Sequence, residues 1–185
     1  MPRVSSTAIH EAGHAVVALC EQCTFSRVVL GGDGDVVGVT YDVVTRPGGE
    51  ESVRIKLAGV MAERLCRRTW RHDLTRAAEG DLIGVGAFVR ENDISDLVGW
   101  NIEATHETLV ENWNAVEKIA RALEGKKQLE YAEVHEIWSA ASSMPAKAPP
   151  GQISDNIWAP LRARIDWHIA NPGGVQAAIA RALAS

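Results

Sequence analysis

The chain has 185 residues, 46% of them hydrophobic and 23% charged, with a formal net charge of −5. That length suits one domain with at most a small appendage, and it is enough to bury a sizeable core. The acidic balance gives no footprint for nucleic acid, the N-terminus carries no signal-peptide core, and no apolar run approaches membrane-spanning length, so a cytoplasmic protein is expected.

The first predicted helix runs from about Ser5 to Glu21, with Ser5 or Ser6 as its cap. It contains His10-Glu11-Ala12-Gly13-His14, a match to His-Glu-x-x-His, the zinc signature of metallopeptidases. Positions i and i+4 share one helix face, so both imidazoles can reach one metal ion. Glu11 follows the first histidine and can reach a water on the open side of that metal. The bland alternative is a solvent-facing histidine pair. Against it stands the apolar continuation Ala15-Val16-Val17-Ala18-Leu19. A helix that buries this run also buries its histidines, and buried polar groups need partners. The expectation is a zinc-dependent peptide hydrolase in which Glu11 is the general base.

Arg27–Leu30 reads as a strand, Gly31–Asp35 as a turn, and Val36–Val44 as a second strand rich in β-branched residues. The spacing predicts a second helix over about Glu51–Thr69 and a third within Leu74–Glu91, which Gly80, Gly84 and Gly86 weaken. A fourth helix is expected over Val98–Leu123, broken at Gly125, and a fifth over Tyr131–Ser142. Pro145, Pro149, Pro150 and Gly151 read as a linker. A helical stretch over Ile157–Ile169 and a short alanine-rich helix complete the chain. The division is therefore a zinc peptidase-like domain over 1–145 and a linker with a helical tail over 146–185. Cys20 and Cys23 form a lone C-x-x-C, and Cys66 cannot complete a zinc knot with them, so reduced thiols are expected.

Several segments together resemble the peptidase domain of FtsH-type ATP-dependent zinc proteases. Ala8–Val16 is similar to that family's active-site helix, Gly38-Val39-Thr40 to the strand after it, Leu57–Leu65 to its L-x-G-x-x-A-E-x-L helix, and Asn114–Leu123 to a late helix. The matches are patchy but in order, over roughly residues 5–140. The chain departs from the family in lacking a phosphate loop and membrane spans, so no ATPase is expected in this polypeptide. The resemblance implies a mainly α fold, with a small β-hairpin or sheet beside the His-Glu-Ala-Gly-His helix. It also implies zinc held by His10, His14 and a downstream Asp, and a possible homo-oligomer.

For the third ligand, Asp81 in Glu79-Gly80-Asp81-Leu82 fits best by order and distance. Asp73 in His72-Asp73-Leu74 competes with it, and Glu63 is a third candidate whose other reading is a carboxylate that holds a histidine ring. The strand residues Val37, Gly38, Val39 and Thr40 are expected to line up a polypeptide substrate by backbone pairing, or else simply to cover the core. Two alternatives remain open. One is a regulatory or adaptor protein with a structural zinc site, to which six tryptophans give some support. The other is a narrow peptidase acting on a single partner protein.

Overall fold

Every residue of the first helix from Ala8 to Leu19 is buried, including His10, Glu11 and His14. The computed structural model describes residues 4–31, 38–67, 76–144, 147–150 and 158–173. This central helix, α1 (Ser6–Cys20), is capped by the Ser5 side chain, which accepts from the Ala8 amide at 3.1 Å. Small residues let it approach α2 (Glu51–Cys66) closely: a Cβ on Gly13 would sit 2.7 Å from the Ala58 carbonyl oxygen. At that contact glycine is a steric requirement.

The remaining elements surround this pair. They are β1 (Arg27–Leu30), β2 (Gly38–Tyr41), α3 (Arg76–Glu91), a 3-10 turn at Ser95–Leu97, α4 (Val98–Glu111), α5 (Trp113–Lys126), β3 (Gln128–Glu130), α6 (Tyr131–Ser142) and α7 (Ala159–Ala170). The fold is mainly α, with a small antiparallel sheet packed beside α1. Its order is β2-β1-β3, with Val28 facing Thr40 on one side and Leu129 on the other. Val28 and Leu129 are fully buried and join the main core. None of the helices among the described residues is long and apolar enough to cross a membrane.

Two expectations about the second half need correction. The helix expected over Val98–Leu123 is two helices, parted at Asn112. The Asn112 amide group donates to the Thr108 carbonyl at 2.9 Å, the local competition that favours helix ends. Nor does the helix break at Gly125. It continues to Lys126, and Lys127 takes the left-handed turn at φ 65°. That turn delivers β3, a strand too short to show a pattern in sequence; Glu130 and Glu133 then form a capping box that starts α6. Cys20, Cys23 and Cys66 form no disulfide with one another. The turn at 32–35, the start of the second expected strand and the alanine-rich end of the tail lie outside the described residues.

Candidate metal centre

His10 and His14 stand one turn apart on the buried face of α1, and their rings meet edge to face with centroids 4.6 Å apart. The two Nε2 atoms are 3.0 Å from each other. Asp81, from the first half of α3, brings Oδ2 to 2.9 Å from His10 Nε2 and 3.3 Å from His14 Nε2. Three potential ligand atoms therefore converge from two helices, and they are the one such cluster among the described residues.

The far side of each ring decides what the near side can do. His14 Nδ1 is 2.6 Å from the Ile55 carbonyl oxygen, which can only accept, so Nδ1 carries the proton. His10 Nδ1 lies 2.8 Å from Glu63 Oε1 and donates to that carboxylate. Glu63 Oε2 in turn lies 3.3 Å from Arg67 Nη2, which holds it in place. In their neutral forms both imidazoles then direct the Nε2 lone pair toward the other and toward a carboxylate oxygen. While both imidazoles are neutral, Asp81 Oδ2 is buried without a hydrogen-bond partner. Three electron pairs facing one another in a buried site repel unless a cation joins them.

The acid–base properties reflect the same demand. Burial lowers the His10 pKa, but the carboxylates of Asp81 and Glu63 outweigh it and push it up to about 10. Burial favours protonation of Asp81, yet His14 and His10 outweigh that and hold its carboxyl well below the usual carboxylate range. A proton or a metal ion can supply the missing charge. Nitrogen and oxygen ligands about 2.0–2.1 Å from a zinc ion at tetrahedral angles stand about 3.3 Å apart. The observed separations of 2.9, 3.0 and 3.3 Å are close to that spacing, and the donor set of two imidazoles and one carboxylate suits zinc.

The floor of the site is Gly59 of α2. A Cβ there would lie 2.5 Å from His14 Nε2 and 2.6 Å from His10 Nε2. The absence of a side chain keeps the space around both nitrogens open. Glu11 projects from α1, one residue after His10, and is 2% exposed. Burial raises its pKa, and the two imidazoles and a hydrogen bond from Thr40 oppose that rise without cancelling it. Thr40 Oγ1 donates to Glu11 Oε2 at 3.2 Å, which ties the edge strand β2 to this carboxylate.

The structure thus brings His10, Glu11, His14 and Asp81 into one buried group, with Thr40 at its side. Glu63 meets the outer nitrogen of His10, away from the cluster, in the ring-holding arrangement. Gly38 and Val39 belong to β2, while Val37, His72 and Asp73 lie outside the described residues. His106, His135 and His168 stand apart from the cluster. Sequence reasoning missed the Ile55 carbonyl, because a backbone acceptor carries no residue signature. It also passed over the role of Gly59, whose place inside the L-A-G-V segment was the available signal. These features define a buried His-Glu-x-x-His site with an added aspartate, of the kind that binds metal, in a mainly helical domain. No protein-family model matches the chain, and no curated protein matches it.

Proposed function

We propose that this protein is a zinc metallopeptidase that hydrolyses peptide bonds in unfolded or exposed polypeptide segments, on the plan of the FtsH-type peptidase domain its sequence resembles. The observation that carries the reading is the convergence of His10 Nε2, His14 Nε2 and Asp81 Oδ2, with an unpartnered oxygen among them and a buried carboxylate alongside.

His10, His14 and Asp81 would hold the ion. Bound there, zinc supplies Lewis acidity, lowering the pKa of a water to about 7 and polarising a carbonyl. Glu11 accepts the proton of the attacking water and delivers it to the departing amine nitrogen. Its raised pKa suits both halves of that task, since a stronger base takes the proton and its acid form returns it. The Thr40 hydroxyl holds one oxygen of Glu11 and leaves the other for the water. β2 lies at one edge of the sheet, and among the described residues no strand pairs with its outer side. An extended peptide added there would run past Glu11, held chiefly by backbone hydrogen bonds. Such recognition suits chains that are already unfolded.

A structural zinc site in an adaptor protein is the competing reading. The buried Glu11 speaks against it, because a purely structural site has no use for a base. The test is zinc content and casein hydrolysis in wild type, Glu11→Gln and Asp81→Ala. About one zinc per chain in wild type and Glu11→Gln, with hydrolysis in wild type alone, supports the peptidase. Stoichiometric zinc with no hydrolysis in the wild type favours the adaptor.

A further inference from the structure

The third ligand sits on a helix that is poorly equipped to stand alone. α3 carries Gly80, Gly84 and Gly86 within a single helix, each a weak helix former. One face packs inward through Ala78, Leu82, Val85 and Val89, and Asp81 lies beside this face. A different stripe, Glu79, Gly86 and Arg90, follows the i, i+7, i+11 spacing and meets α7.

The contacts along that stripe are specific. Arg164 of α7 grips Glu79 with both arms, Nη2 to Oε1 at 2.6 Å and Nε to Oε2 at 3.3 Å. His168, 5% exposed, places Nε2 3.1 Å from Glu79 Oε1. At Gly86 the two backbones nearly touch: a Cβ there would lie 2.6 Å from His168 Cβ and 3.1 Å from its carbonyl carbon. Arg90 Nη1 donates to the His168 carbonyl oxygen at 3.4 Å. Leu161 and Ile165 are buried in the same interface. Glu79 is two residues before Asp81, so the clamp acts within one turn of the ligand.

We infer that α7 is a working part of the metal centre: it clamps α3 through Glu79 and Gly86 and so sets the position of Asp81, with Arg164 and His168 as positioning residues. This rests on the zinc reading above. It extends that reading by making zinc affinity depend on docking of α7. Release of α7 leaves the His10–His14 pair intact on α1 and loosens the third ligand, which gives α7 control over loading of the site.

The experiment uses the full chain. Zinc affinity is measured by competition with a chromophoric chelator for wild type, Asp81→Ala, Gly86→Ala and Glu79→Gln. Amide hydrogen exchange on the metal-free proteins is recorded in parallel. The clamp predicts zinc affinity about tenfold or more weaker in Gly86→Ala, with Glu79→Gln weakened in the same direction. It also predicts faster exchange in α3 and α7 with α1 unchanged. If Gly86→Ala fails to fold, Glu79→Gln carries the comparison. Wild-type affinity in the variants, with exchange showing α7 released, overturns the clamp and leaves the zinc reading standing. A wild type that binds no zinc overturns both.

Discussion

The Nδ1 of His14 donates to the Ile55 carbonyl oxygen at 2.6 Å, linking the second histidine of the motif to the backbone of a different helix. The bond fixes the ring's orientation and tautomer, and no side-chain substitution can remove its acceptor. His10 has the counterpart in Glu63, an acceptor that can be mutated. The two imidazoles are therefore held by partners of different kind.

That difference makes Glu63 the accessible test of ligand orientation. Glu63→Ala removes the acceptor for His10 Nδ1 and leaves Arg67 without this partner. Zinc affinity should fall about 10- to 100-fold. Glu63→Gln keeps an acceptor oxygen and should lose less. Titration with a competing chelator measures both. Equal losses in the two variants would mean that charge, and not ring orientation, is what Glu63 provides.

Gly59→Ala places a methyl group against the Nε2 atoms of both His10 and His14. The expected result is loss of stoichiometric zinc, together with a destabilisation of about 1–3 kcal/mol from overpacking. Elemental analysis reads the first and denaturant unfolding the second. Retention of one zinc per chain with unchanged affinity would show that α1 and α2 can separate here at little cost.

Metal binding should be strongly pH-dependent. The His10 pKa is raised from 6.5 to about 10 in the metal-free protein. Its protonated form therefore stabilises the metal-free fold fully below pH 6.5, and that contribution is lost as the pH rises through about 10. Zinc must displace this proton, so apparent affinity should climb by about tenfold per pH unit across the neutral range. Calorimetry in buffers of different ionisation enthalpy counts the protons released. Zinc binding without proton release would contradict the charge assignment of the cluster.

Thr40→Val removes the hydrogen bond that lowers the Glu11 pKa. Glu11 then becomes a stronger base that is protonated at higher pH, and the acid limb of the kcat/KM profile should move upward. Zinc content should stay at the wild-type value. An unmoved acid limb would assign that limb to a group other than Glu11.

The amino-acid sequence by itself determined the local parts of this molecule. The i, i+4 histidines, the cap at Ser5 and the apolar run to Leu19 specify α1, because these signals act within one or two turns. The bounds of β1 and α6 were likewise legible, since turn residues and helical periodicity flank them. Only the tertiary structure decided what lies across from those residues. Asp81 reaches the histidines because α3 packs against α2, and its flanking sequence offers no ligand signature beyond order and distance. The Ile55 carbonyl, the space above Gly59 and the grip of Arg164 on Glu79 join positions distant in the chain. Periodicity reports which face of an element is buried; packing alone selects the atoms that face each other across the interior.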